Sequence, residues 1–189
     1  EYVVTIFYTA PTAIRAFMKW GDEHPAGRDL SSLRLLGTVG EPINPEAWMW
    51  YHKNIGNESC PIVDTWWQTE TGAIMIANFP GMDIRPGAMG KPVPGIRAAV
   101  MRKTVKGAPE FVTGAGVQGE LVLKAGWPSM FRQYWKKPDI YRSKFVGASD
   151  DSMPDELRQD RKLWYVSGDR ASIDADGYFW FVGRADDII

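Results

Sequence analysis

The first 80 residues alternate between two kinds of segment, and this alternation restricts the fold more than any other feature of the chain. Tyr2–Tyr8 is a short, β-branched, apolar run. Pro11 follows where a first helical turn tolerates proline, Ile14, Phe17 and Met18 fall on one helical face, and Gly21 stops the run. Leu33–Val39 reads as a second strand. Asn44-Pro45 is a helix start, a capping residue followed by proline at the first helical position. Trp48, Tyr51 and Ile55 share one face of that helix, Gly56 ends it, and Pro61–Asp64 is a third strand. Strand, helix, strand, helix, strand implies a parallel sheet with crossover helices.

Residues 81–126 change character. Glycine and proline recur at Gly81, Pro86, Gly87, Gly90, Pro92, Pro94 and Gly95, and Ile96–Met101 and Glu120–Lys124 read as strands. This is the pattern of a small barrel or antiparallel sheet. Residues 127–145 mix aromatic and basic side chains, with a short helix expected after Pro138. Residues 148–161 are charged and read as an exposed loop. Trp164–Val166 is a strand, and residues 173–180 form a hairpin turning at Asp174–Gly177. The expected class is α/β, with an α/β subdomain over residues 1–80 and a smaller β-rich, barrel-like subdomain over 81–183.

Composition removes several function classes. The chain has 189 residues, 44% hydrophobic and 24% charged, as a soluble globular protein does. A net charge of -1 leaves no electrostatic footprint for nucleic acid or a membrane surface. The single cysteine, Cys60, excludes an internal disulfide and points to a reducing compartment, so a cytoplasmic location is expected. His24, His52 and Cys60 show no metal-ligand spacing, and with Lys124 they read as structural. No run approaches the length of a transmembrane helix, and no signal peptide is visible. The chain opens without methionine and stops at Asp186-Asp187-Ile188-Ile189, within a pattern that reads as structure. The expectation is a piece of a longer protein.

Five motifs each admit two readings. Gly40-Glu41-Pro42 follows the second strand, where α/β sheets hold ligands, and Gly40 lets backbone approach a flat ring; an ordinary strand-to-helix turn reads the same way. In Val63-Asp64-Thr65-Trp66-Trp67-Gln68-Thr69-Glu70-Thr71-Gly72, Asp64 and Thr65 end a strand on the same sheet edge. The Thr69 hydroxyl suits a phosphate oxygen, and the Glu70 carboxylate suits the magnesium that accompanies a nucleotide. Trp66 and Trp67 wall a small apolar pocket, cover a ring, or form a buried aromatic pair beside a turn. Ser167-Gly168-Asp169 offers a carboxylate to ribose hydroxyls or a solvated turn. Arg184, in Gly183-Arg184-Ala185-Asp186-Asp187, binds ribose or phosphate oxygens or belongs to a surface charge cluster. Trp127–Phe131 and Tyr134–Lys137 stack on bases or pack together, and the net charge favours packing.

No motif decides alone, but their order does. Tyr8-Thr9-Ala10-Pro11-Thr12, the Gly40–Trp48 string, the tryptophan-rich motif, Ser167-Gly168-Asp169 and the segment from Asp176 to Asp187 together resemble the acetyl-coenzyme A synthetases. These are AMP-forming acetate ligases of the adenylate-forming superfamily. The resemblance covers nearly the whole chain, and the paired tryptophans are specific within the superfamily.

The resemblance implies an enzyme that joins acetate and MgATP into acetyl-adenylate and pyrophosphate, then passes the acetyl group to coenzyme A and releases AMP. It implies that Gly40, Glu41 and Pro42 line the adenine site and that Asp64, Thr65, Trp66, Trp67, Gln68 and Thr69 contact the nucleotide, with Thr69 on the α-phosphate. Glu70 is associated with magnesium, and Thr69 and Glu70 are the catalytic pair. Asp169 and Arg184 bind ribose. Val39 and Trp67 line the acyl pocket, where the indole fills the space a longer tail needs. Asp186 is a hinge, with residues 184–189 leading to a C-terminal domain. The phosphate loop expected upstream and the C-terminal lysine are absent from this sequence, so the piece by itself is expected to be inactive. Gly87-Ala88-Met89-Gly90-Lys91-Pro92 departs from the commonest bacterial pattern. That departure keeps a propionate or medium-chain ligase as an alternative, beside a non-catalytic nucleotide-binding module.

Overall fold

The computed structural model describes residues 2–103, 109–147 and 163–185. The chain divides into two compact units, Glu1–Trp67 with Ile74–Lys91, and Gln68–Ala73 with Pro92–Ile189.

The first unit holds β1 (Ile6–Thr9), α1 (Pro11–Trp20), α2 (Glu23–Ala26), β2 (Leu35–Thr38), α3 (Pro45–Asn54), β3 (Ile62–Trp66) and β4 (Ile76–Ala77), with β5 (Lys91–Pro92) at the far edge of the sheet. β1 pairs β2 and β2 pairs β3, both parallel, which confirms the crossover pattern. β4 returns antiparallel on β3, so the sheet is mixed. The first strand is shorter than its apolar run. β2 begins at Leu35 opposite Ile6, so Tyr2 and Val3 have no partner strand and lie 92% and 78% exposed. Gly37 occupies mid-strand because the ring of Tyr8 lies against it; a Cβ there would overlap that ring.

α1 and α3 start at a proline, as expected, because the first helical N–H has no intrahelical partner to lose. Asn44 precedes Pro45 in extended conformation, but its side chain makes no capping bond; its carbonyl accepts from Trp48 N at 3.0 Å instead. Ile14 of α1 and Ala47, Trp48 and Tyr51 of α3 pack with Leu36, Ile43, Cys60 and Ile62 into one buried cluster, against which Met18 and Ile55 rest. The Tyr51 hydroxyl donates to Phe7 O at 2.8 Å, and burial pushes the phenol well above its ordinary range. The Cys60 thiol is buried and donates to Leu33 O, in keeping with a structural role.

The second unit is a curled antiparallel half-barrel. It contains β6 (Ala98–Lys103), β7 (Pro109–Phe111), β8 (Gln118–Lys124), α4 (Pro138–Ser143), β9 (Phe145–Gly147), β10 (Leu163–Ile173) and β11 (Phe179–Arg184). The order is β11-β10-β8-β6-β7, with β9 also on β10. β10 is far longer than the Trp164–Val166 strand read from sequence. It passes through Ser167-Gly168-Asp169, which sits inside a strand and not after one. The pairing with β8 shifts between Val166 and Arg170, where Gly168 takes φ +77°. That irregularity breaks the alternation that would have shown a strand in the sequence. The hairpin turns where expected: Asp174 Oδ1 accepts from the backbone N–H of Asp176 and Tyr178, and Gly177 takes φ +82°. Segment 148–161 and Asp186 lie outside the described residues.

Trp127, Phe131, Tyr134, Tyr141, Phe145 and Tyr165 meet ring to ring at centroid separations of 5.0–6.0 Å. The aromatic part of segment 127–137 is therefore largely packing, with Trp135 the exposed exception at 81%.

Leu36→Ala, at a fully buried position of β2, should destabilise the fold by about 2–5 kcal/mol in denaturant unfolding. Ile6→Ala on the exposed side of β1 should stay within about 0.5 kcal/mol of the parent. Equal losses at both positions would show that this sheet is not the core.

Candidate functional site

The sequence candidates fall into two groups, one in each unit.

In the first unit, Asp64 and Thr65 lie within β3, not at its end, and both side chains are buried. Parallel pairing of β2 with β3 sets Thr38 opposite Asp64. The Thr38 hydroxyl donates to Asp64 Oδ1 at 2.6 Å, and Thr65 N donates to the same oxygen at 3.0 Å. The Thr65 hydroxyl donates to Thr38 O at 2.8 Å and meets the Tyr8 hydroxyl at 2.6 Å. Gly40 follows β2 at φ +90°, and a Cβ there would meet open space. An exposed glycine in that conformation leaves room for a flat group against the backbone. The Glu41 carboxylate accepts from Thr12 N at 2.7 Å and Arg15 Nη2 at 2.8 Å. The bond with Thr12 is the main reason its carboxyl titrates below the ordinary range. Glu41 thus fastens the loop to the start of α1, and Pro42 is exposed beside it. Trp66 is buried while Trp67 is 45% exposed, so the two indoles are not a buried pair. Val39 is half-buried.

In the second unit, the turn Gln68–Ala73 is held almost residue by residue. Glu70 O accepts from Phe131 N at 3.0 Å, and Thr71 O accepts from Trp127 Nε1 at 2.9 Å and Ser129 Oγ at 2.7 Å. Gly72 takes φ +66°, and a side chain there would run into Ser129 O. Gln68 binds Tyr165, Ser167 and Asp169 through its side chain. Thr69 is the exception. It is exposed, and its hydroxyl has no partner among the described residues. A turn this firmly tied that leaves one hydroxyl open presents a donor at low ordering cost.

Glu70 accepts from the Tyr134 hydroxyl at 2.7 Å through Oε1. Burial and the neighbouring carboxylate push the Tyr134 phenol up to about 12. Among the described residues no three His, Cys, Asp or Glu side chains gather as a metal site. Glu70 offers one carboxylate, with Oε2 unpartnered among those residues. Asp169 is buried; its Oδ1 accepts from Arg184 Nη1 at 3.1 Å, while the Arg184 side chain is 43% exposed. The sequence reading missed Tyr134 and Tyr165, which lie 64 and 97 residues from the partners they bind. Nothing local marks a tyrosine that acts at such a separation.

Asp64 is the group whose charge folding alters. Burial pushes its carboxyl up to about 6, against the hydrogen bonds from Thr38 and Thr65. The folded state therefore keeps a proton that the unfolded chain releases near pH ~4. This contribution is fully present below about 4 and is lost as pH rises to about 6, a change on the order of 3 kcal/mol. Asp64→Asn keeps the Oδ1 acceptor for both donors and cannot ionise. Unfolding followed between pH 4 and 7 should show the variant lacking that slope. An unchanged slope would mean the carboxylate is charged in the fold throughout.

Known proteins resemble this chain in sequence and fold. The family described as AMP-binding enzyme matches residues 1–135. The acetyl-coenzyme A synthetases of Gemmatimonas aurantiaca and Methylobacillus flagellatus are 51% and 52% identical over the whole chain. The chain spans 27% of the length of each. A crystal structure of an anthranilate CoA ligase in complex with anthranoyl-AMP matches 98% of the chain and 30% of that protein, at TM-score 0.75 and 33% identity. No helix among the described residues is long and apolar enough to cross a membrane. With its family matched over 135 of its residues, from the first strand to the aromatic segment of the half-barrel, the chain belongs to the AMP-binding enzymes.

Proposed function

We propose that the whole protein is an AMP-forming acid–thiol ligase. It converts acetate, ATP and coenzyme A into acetyl-coenzyme A, AMP and pyrophosphate through acetyl-adenylate. The observation that carries this reading is identity of about half the residues, along the entire chain, to curated acetyl-coenzyme A synthetases. The open Thr69 hydroxyl on a fastened turn supports it.

In this reading the acetate oxygen attacks the α-phosphorus, and the chain contributes positioning and charge stabilisation more than covalent chemistry. The Thr69 hydroxyl donates to an α-phosphate oxygen as charge builds there. Gly40, with open space at its backbone, and Glu41 and Pro42 beside it, flank the adenine. Asp64, Thr65, Trp66 and Trp67 border the nucleotide. Asp169 accepts from ribose hydroxyls, with Arg184 donating beside it. The Trp67 indole and Val39 limit the acyl pocket. Asp186 serves as the hinge.

Magnesium suits the Glu70 carboxylate. This ion takes one or two carboxylates and leaves its other positions to phosphates and water, so a single acidic side chain is a fitting donor set. When bound it neutralises phosphate charge. Tyr134 holds one oxygen of that carboxylate and leaves the other open.

ATP–pyrophosphate exchange on the full-length protein, across straight-chain acids of two to eight carbons, tests the reading. Acetate should be the best acid. Trp67→Gly should shift the preference toward longer acids by about 10-fold or more, since the added space accepts methylenes that the indole excludes. A wild-type preference for longer acids would replace acetate with another member of the superfamily. Exchange with no acid at all would leave a nucleotide-binding module without ligase activity.

A further inference from the structure

Both donors of the Gln68 amide are engaged by protein. A glutamine amide has two N–H donors and one carbonyl acceptor. Nε2 donates to Ser167 O at 3.0 Å and to Asp169 Oδ2 at 2.9 Å, and Oε1 accepts from the Tyr165 hydroxyl at 2.8 Å. The pattern also sets the amide's orientation: turned over, its oxygen would face two acceptors.

The receiving end is Asp169. Its Oδ2 is held by Gln68 and its Oδ1 by Arg184. Its backbone N–H donates to the Ser167 hydroxyl at 3.0 Å, which in turn donates to Leu121 O at 2.8 Å. Asp169 sits where β10 leaves its register with β8, beside Gly168 at φ +77°. At such a bulge the ladder holds Asp169 from one side only, through its pairing with Arg184 of β11. Side-chain hydrogen bonds complete its orientation, and Gln68 supplies one from 101 residues away.

We propose that Gln68, itself held by Tyr165, is a positioning residue for Asp169 and makes no contact with the nucleotide. The turn that presents Thr69 would then also aim the ribose-binding carboxylate. This rests on the reading of Asp169 as a ribose ligand.

The test is the affinity of the full-length protein for ATP against 2′-deoxy-ATP and 3′-deoxy-ATP, by titration calorimetry without acid or coenzyme A. The wild-type protein should favour ATP over the more discriminated analogue by about tenfold or more, the worth of a hydrogen bond to a charged group. In Gln68→Met that ratio should fall to within about threefold because ATP binds more weakly, with the deoxy-nucleotide affinity unchanged. Tyr165→Phe keeps the ring, packed 5.7 Å from Phe131, and should also lower the ratio. If Gln68→Met does not fold, Tyr165→Phe decides. Asp169→Asn is the reference and should abolish discrimination. Wild-type ratios in both Gln68→Met and Tyr165→Phe, beside a lost ratio in Asp169→Asn, would overturn the positioning role and keep the ribose reading. Equal weakening of every nucleotide in Gln68→Met would also overturn it. An unchanged ratio in Asp169→Asn would sink the ribose reading and the proposal together.

Discussion

The candidate chemistry of the second unit depends on the two donors that meet at Thr71 O. Trp127 Nε1 and Ser129 Oγ both point at that carbonyl, and Phe131 N closes on Glu70 O one residue earlier. Each such bond contributes only about 1 kcal/mol net, but moving the carbonyl away would leave the indole N–H of Trp127 unsatisfied, which costs more. Trp127 is buried, so its indole N–H has no alternative in water. The close approach of Gly72 to Ser129 O then excludes any side chain at that position. A single backbone arrangement follows, and within it Thr69 is the residue left open.

The first unit uses polar side chains differently. Thr38, Asp64, Thr65 and Tyr8 bond one another across β2, β3 and β1, and the three strand residues of β2 and β3 are buried. Buried polar groups tolerate burial only when paired, and here they are. Asp64 shows the cost: its carboxyl is held near the edge of ionisation by burial even with two donors on one oxygen. The exposed elements are backbone and aromatic: Gly40, where an added Cβ would meet nothing within 4 Å, and the half-exposed indole of Trp67.

Much of this was legible in the sequence because it is local. Pro11 and Pro45 marked the starts of α1 and α3, Trp48 and Tyr51 marked a buried face, and Asp174–Gly177 marked a hairpin, each within a few residues. Boundaries failed where a distant partner decides them. β1 starts only at Ile6 because β2 begins opposite it, at Leu35, although Val3 and Val4 have the composition of a strand. β3 runs on through Trp66 because β4 pairs with Thr65 and Trp66, and nothing before Ile76 announces that. β10 escaped notice beyond Val166 because Gly168 interrupts it. At the site, the residue types of Thr69, Glu70 and Asp169 could be chosen by their chemistry. The tyrosines that hold two of those neighbourhoods could not, since Tyr134 and Tyr165 gain their meaning from contacts made by folding alone.

The central claim is that a fastened turn presents one open hydroxyl to a reacting phosphate. The most direct measurement is the single-turnover rate of acetyl-adenylate formation by the full-length protein with Thr69→Ser and Thr69→Ala. Serine keeps the donor and should stay within about tenfold of the parent, whereas alanine should be slower by about 100-fold or more, as when a donor to developing charge is removed. An alanine variant that matches the parent, or a serine variant as slow as alanine, would contradict the account.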